Sequence, residues 1–175
     1  MDLGLSSIVI VEGILKNDLK QELKMQGHYL TGGLENSVVS DVLNNGNNVA
    51  VEVFADGYID PVNDGVPAHK IPYDPDNRSG AKSSKYIEGL KNYAKLRFGL
   101  TDDKAALGAA FAIAKKHKKE GMPTQGSYSF SKNGSRTEAI ESVINANEKK
   151  IGNIIEKGVN ADLDDLLGKG FDVKI

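Results

Sequence analysis

The chain has 175 residues, 39% hydrophobic and 26% charged, which is enough for one domain with a core and too apolar for wholesale disorder. A formal charge of −2 excludes a surface that is a nucleic-acid footprint throughout, and the lack of cysteine excludes disulfides and cysteine-ligated zinc or iron–sulfur sites. Nineteen glycines, against about 12 expected from average usage, with only five prolines, predict many turns and flexible loops.

The longest apolar run, Ile8-Val9-Ile10-Val11, falls far short of the roughly 20 residues of a membrane span, and no basic segment precedes it. A soluble protein made in a cytoplasm is expected. Ser7 can cap a first helix whose apolar positions Ile8, Val11, Leu15, Leu19 and Leu23 recur at three- and four-residue steps until Gly27 stops it. Its β-branched start also allows an extended segment before Glu12. After the Thr31-Gly32-Gly33 turn, Leu34, Val38, Val39 and Val42 suit a short helix or a strand, and the β-branched pair favours a strand over Ser37 to Leu43. Asn44 to Asn48 reads as a hairpin loop, and Val49, Val51 and Val53 alternate with Ala50, Glu52 and Phe54, so a hairpin spans about Ser37 to Ala55.

From Asp56 to Ser83 periodicity is lost among three prolines after Pro61 and the turn residues Asn63-Asp64-Gly65 and Asp74-Pro75-Asp76-Asn77. The segment reads as an extended contact loop. Ser83 or Ser84 then caps a helix holding Tyr86, Ile87, Leu90, Tyr93, Ala94 and Arg97, ended near Gly99. Thr101 caps the next, which runs to Glu120. Asp102 and Asp103 suit its positive end and Lys115 to Lys119 its negative end, while Ala106, Leu107, Ala110, Phe111, Ile113 and Ala114 leave room for another helix close by. Ser127 to Ser131 alternates polar and aromatic residues, as a short strand or an extended arm. Thr137 then caps a helix with Ile140, Val143, Ile144, Ile151, Ile154 and Ile155 on its buried side, followed by a short helix from Asp162 to Leu167. The tail Phe171 to Ile175 alternates apolar and polar residues. It suits an edge strand of this chain or one added to a neighbour's sheet. Together these elements predict an α+β fold: one domain over 1–175, a small antiparallel sheet packed against several helices, and long loops or arms.

No set of residues points to catalysis. His28, His69 and His117 lie in separate segments without a carboxylate at metal-ligand spacing, and Asp60, Asp64, Asp74 and Asp76 lack the register of a calcium loop and read as turn formers. There is no Gly-x-Ser-x-Gly elbow, P-loop or dinucleotide fingerprint. No enzyme, metal or cofactor is expected. The one basic concentration, Lys115-Lys116-His117-Lys118-Lys119 with Lys91, Lys95 and Arg97, suits either a solvated helix end or phosphate contact. In the second reading Arg136 joins it and Tyr128 and Phe130 stack on bases.

The order of parts Tyr29-Leu30-Thr31-Gly32-Gly33-Leu34-x-x-Ser37, the Val49 to Val53 strand and Tyr58 to Gly65 resembles the tail-completion or neck (head-tail joining) proteins of tailed bacteriophages. Val62 and Gly65 stand where that family's later Val and Gly fall, while Ile59-Asp60 replaces its usual Ala after Tyr58. The helix Lys104 to Glu120, the Gly121-Met122-Pro123-Thr124 loop and a C-terminal helix are also similar, with an inserted loop and helix at about 56–100. The resemblance implies a structural virion protein without catalysis. It would form a six- or twelve-fold homo-oligomeric ring at the head-tail junction that joins a portal or adaptor protein to a tail tube or tail terminator protein, away from any membrane. The subunit or partner contacts expected on this reading are Tyr58, Asp60, Val62, Val66, Ile71, Tyr73, Met122, Tyr128, Phe130, Phe171, Val173 and Ile175. Lys115, Lys116, Lys118 and Lys119 would face packaged DNA. The competing reading is a nucleic-acid-binding protein that uses the basic helix end at 115–119.

Overall fold

A computed structural model describes residues 5–45, 48–76, 84–124 and 128–170, with the side chains of 169 and 170 left aside. The described residues form an α+β fold with six α-helices, a 3-10 turn and one two-stranded antiparallel sheet. The sequence reads as a single domain with an insertion at about 56–100. The structure gathers into two compact units: one takes the chain up to Lys24, Leu34–Asp56 and the chain from Ala139 on, and the other takes Met25–Gly33 and Gly57–Glu138.

The first unit is built on two long helices and a hairpin. Helix α1 (Leu5–Met25) buries Val11, Leu19 and Leu23 on the face that the apolar spacing predicts. Ser7 is not its cap but an interior residue, so the β-branched start is helical and the extended alternative does not occur. The reason lies in α6 (Ala139–Gly170), where any side chain in place of Gly158 would overlap Ser7, so the two backbones come close there. Farther along, Asn147 Nδ2 donates to Asp18 Oδ2 at 2.9 Å. As the chain advances along α1 from Ser7 to Asp18 it retreats along α6 from Gly158 to Asn147, so the helices run antiparallel.

Helix α6 is one continuous helix where the sequence suggests two. Its start at Ala139 rather than Thr137 follows from Glu138, whose φ of 60° is left-handed and ends the preceding loop. Ala139, Val143 and Asn147 are buried, whereas Ile144 and Ile155, expected inside, are exposed.

Helix α2 (Gly33–Ser37) precedes strands β1 (Val39–Asn44) and β2 (Val49–Phe54). Both alternatives for this stretch are realised in sequence, helix first and strand second. The Ser37 hydroxyl donates to Leu34 O at 2.8 Å and accepts from Asp56 N at 3.1 Å, which closes the helical turn and postpones the strand to Val39. The register pairs Val39 with Phe54, Asp41 with Glu52 and Leu43 with Ala50 on the outer face, and Ser40 with Val53 and Val42 with Val51 on the inner one. The Ser40 hydroxyl donates to Glu12, and Lys24 pairs with Glu35 at 2.7 Å, so β1 and α2 are both tied to α1.

The second unit centres on the antiparallel pair α4 (Lys85–Phe98) and α5 (Asp103–Glu120). Ala106, Ala110 and Ala114, one helical turn apart, are wholly buried, as is Ala94 of α4. Methyl-sized side chains let the helices approach closely. Gly99 ends α4 at φ 65°, and the cap of α5 is Asp102 rather than Thr101, since Asp102 Oδ2 accepts from Ala105 N at 2.7 Å.

Of the contact loop expected from Asp56 to Ser83, residues 57–76 are instead part of this unit's framework, and 77–83 lie outside the described residues. Helix α3 (Ile59–Asn63) and the 3-10 turn Ala68–Lys70 carry Val62 inward and deliver Ile71 and Tyr73 to the core with Ile87, Leu90, Ala110 and Ala114. Val66 and Met122 exchange two backbone hydrogen bonds. Gly121 beside them has φ 86°, and a Cβ there would lie 2.8 Å from Val66 O. Residues 128–130 form a turn, so of the short strand or extended arm expected over 127–131 the strand is absent among the described residues. Its backbone meets another segment instead. Lys132 N donates to Met25 O at 2.7 Å, and Gly27, at φ 79°, sits against the Phe130 carbonyl where no Cβ would fit.

Candidate interaction surfaces

The side chains expected at partner contacts divide sharply by burial. Val62, Ile71 and Tyr73 are buried in their own unit, with the Tyr73 and Phe111 ring centroids 6.3 Å apart. They hold the unit together and have no surface left for a partner. Val66 and Met122 are half-buried and occupied with each other. Tyr58 (62% exposed), Asp60 and Tyr128 (80% exposed) face solvent. Phe130 is partly exposed and carries the Arg136 guanidinium 5.3 Å from its ring centroid. Phe171, Val173 and Ile175 lie outside the described residues.

The basic end of α5 is mixed in the same way. Lys118 donates to Ile71 O at 3.3 Å and supports the core segment, and Lys116 lies 3.9 Å from Glu120. Lys115 and Lys119 are exposed and form no ion pair among the described residues. Lys91 and Lys95, near them in sequence, belong to the other end of the helix pair, where they hold Asp103 at 2.6 and 2.5 Å. These lysines, by hydrogen bonding first, keep the Asp103 carboxyl low, at about 2.

Two histidines that stand far apart in sequence lie around Arg136. His28 Nε2 donates to Arg136 O at 2.9 Å, and His117 Nδ1 shares a 2.8 Å hydrogen bond with Tyr86 Oη. Burial is the main cause that lowers both imidazoles, and the Arg136 charge pushes the same way. Burial also raises the Tyr86 phenol to about 12. Arg136 itself is lowered by burial, with Arg97 adding to it, and its Nε is buried without a hydrogen-bond partner among the described residues. The arrangement uses its polar atoms to join the 25–28 and 130–137 segments to each other and α4 to α5. Neutral imidazoles here are a condition of burial. Asp74 Oδ1 accepts from Asp76 N at 2.9 Å, which is turn formation. Among the described residues no group of three His, Cys, Asp or Glu side chains is placed to hold a metal ion, and no helix is long and apolar enough to cross a membrane.

Two surfaces escaped the sequence reading. The outer face of the β1–β2 hairpin exposes Val39, Leu43 and Phe54 around the Asp41–Glu52 pair. The outer face of α6 exposes Ile155, Val159, Leu163 and Leu167, a stripe in four-residue steps. The strand alternation and the four-residue spacing were both present as signals, but neither tells which face a neighbouring element covers. A scan against protein-family models, a search of curated proteins and a search of solved structures each returned no match.

Proposed function

We propose that this chain is a structural virion protein of a tailed phage, assembling as an oligomeric ring at the head-tail junction between the portal or adaptor and the tail. The observation that carries the reading is the apolar exposure on two faces of the first unit, Val39, Leu43 and Phe54 on the hairpin and Ile155, Val159, Leu163 and Leu167 on α6. Clusters of exposed apolar side chains of this kind suit burial against other subunits. The resemblance of Tyr29 to Gly65 to the neck family supplies the direction, and the work of such a protein is assembly, without bond making. The partners on this reading are other copies, a portal or adaptor protein and a tail tube or tail terminator protein.

Light scattering of the purified protein across a range of concentrations tests the reading, with electron microscopy of the largest species. A closed ring of six or twelve copies is expected. A monomer at every concentration would refute self-driven ring formation.

Nucleic-acid binding through α5 is the second reading, favoured by the exposure of Lys115 and Lys119 toward its basic end. It requires affinity for duplex DNA that falls steeply with salt and falls again in a Lys115→Glu, Lys119→Glu variant.

A further inference from the structure

The outer face of the β1–β2 hairpin has an order of its own. Three cross-strand pairs stack along it: Val39 with Phe54, Asp41 with Glu52, and Leu43 with Ala50. Successive pairs on one face of a sheet are roughly 7 Å apart. Two carboxylates directly opposite each other repel, and neither has a basic partner among the described residues; Asp41 Oδ1 only accepts from Val42 N at 2.8 Å. Val39, Leu43 and Phe54 are about half exposed. A sheet face of this kind, with an apolar pair beside an anionic one, fits a flat helical surface that offers cations next to small side chains.

One helix of the chain has that surface. On α5 the exposed residues Gly108, Ala112, Lys115 and Lys119 follow one another along one side. Gly108 and Ala112 leave the helix backbone accessible to bulky groups. Lys115 stands roughly 10 Å beyond Gly108 and roughly 5 Å beyond Ala112 at the helical rise, which brackets the spacing between the apolar and acidic pairs of the hairpin. Both lysines lie at the negative end of the helix dipole and are exposed.

We propose that the outer hairpin face of one copy docks on the Gly108–Lys119 side of α5 of a second copy. Phe54 and Val39 lie over Gly108 and Ala112, and Asp41 and Glu52 meet Lys115 and Lys119. The two surfaces are different, so the contact is head-to-tail and repeats from copy to copy. Such a contact closes as a ring or runs on as a filament according to its rotation. The inference deepens the ring reading and rests on it for closure only.

The experiment uses three full-length proteins: the wild type, a hairpin reversal (Asp41→Lys with Glu52→Lys) and a helix reversal (Lys115→Glu with Lys119→Glu). Each is examined by sedimentation and light scattering over a range of concentration and salt, with circular dichroism as the check on folding. The wild type should associate, more weakly in high salt, and each reversal alone should associate roughly a hundredfold more weakly, because like charges then face each other. Mixing the two reversals in equal amounts should restore association, since every contact in an alternating assembly is again between opposite charges. The milder pair Asp41→Asn with Glu52→Gln, which adds no charge, should weaken association in the same direction and covers misfolding of the hairpin reversal.

Reversals that leave association intact, or a mixture that stays monomeric, would overturn the contact. A wild-type ring that survives the reversals would overturn the contact and leave the ring reading standing. A wild-type filament dissolved by them would support the contact and defeat the ring reading. A wild type that remains monomeric at every concentration, with Lys115 and Lys119 engaged by duplex DNA, would also overturn the contact.

Discussion

Where α4 meets α5, the second unit places alanine at Ala94, Ala106, Ala110 and Ala114 and buries all four completely, whereas α6 of the first unit carries isoleucine, valine and leucine on a face that meets nothing among the described residues. The contrast inverts what side-chain size alone suggests. Small residues pack most tightly because they let backbones approach, and the larger groups around them, Ile71, Tyr73, Ile87 and Leu90, then close over the pair as one cluster. The first unit is tied at separate points, by Glu12 to Ser40, Asp18 to Asn147 and Ser7 against Gly158. Helix α6 has 32 residues against 21 in α1. Because Gly158 already stands opposite Ser7, Leu163 and Leu167 run past Leu5, the described start of α1, and are about half exposed or more. The second unit gathers its helix pair around one cluster, although it too exposes Tyr58, Leu96, Phe98 and Tyr128, whereas the first unit leaves a four-residue-step stripe of α6 on its surface.

The sharpest way to break this comparison is to hollow out the second unit. Tyr73→Ala removes a buried ring from the cluster around α4 and α5 and should destabilise that unit by about 3–4 kcal/mol. Hydrogen exchange should show protection lost in α4 and α5 and retained in the middle of α6. Unchanged protection in α5 would return residues 59–73 to the status of a surface loop. Gly27→Ala comes next, at about 2–3 kcal/mol, because it combines a left-handed φ with a collision against the Phe130 carbonyl. Its signature is early exchange at Lys132 N, whose acceptor is Met25 O.

Acid separates the units without mutation. All three histidines lie in the second unit, and burial lowers His28 and His117 below the ordinary value of 6.5. A lowered histidine takes up its proton more readily in the unfolded chain, so the stability it supports is full above the unfolded value and is lost as pH falls toward the folded one. Exchange in α4 and α5 should therefore speed up as pH falls below the ordinary histidine value of 6.5 relative to the rate expected for the free chain, while α6 shows no such excess. Replacing both residues with glutamine should flatten the difference. Asp102→Ala should cost about 1 kcal/mol through the lost cap of α5, read as a shift in denaturant midpoint without a change in slope. The smallest effect belongs to the first unit. Ile155→Ser with Leu163→Ser, on the uncovered face, should shift monomer stability by no more than about 0.5 kcal/mol, yet should reduce any association that uses α6.

Legibility in the sequence follows the same division. The reach of α5 to Glu120 could be read because aspartates stand at one end and lysines at the other, and the hairpin because Val49, Val51 and Val53 alternate with Ala50, Glu52 and Phe54. The chain from Ile59 to Tyr73 could not be read that way. A five-residue helix and a 3-10 turn are too short to show a period, and Pro61, Pro67 and the Asn63-Asp64-Gly65 turn signal a loop whether or not Ile71 and Tyr73 are buried. The second helix expected from Asp162 to Leu167 is part of one unbroken helix, in which Gly158 serves the close approach of Ser7. The aromatic alternation at Tyr128 and Phe130 imitates a strand and yields a turn, because the backbone partner at Met25 to Gly27 lies a hundred residues away in the chain. Of the surface residues, exposure at Tyr58 and Tyr128 was within reach of pattern. Burial at Val62, Ile71 and Tyr73 was not, since it depends on tertiary neighbours.

The chain passes from one unit to the other four times, after Lys24, Gly33, Asp56 and Glu138. On a ribosome this arrangement imposes a schedule. By the time Glu138 has emerged, every segment of the second unit is present, and its mainly local α4–α5 pairing can form at once. The first unit must wait, with α1 and the hairpin made early and α6 made last. Until α6 arrives, Val11, Leu19 and Leu23 of α1 lack part of their cover and are open to a chaperone or to another nascent chain. A stop codon anywhere in α6 would thus release a protein with one finished half and one half still waiting.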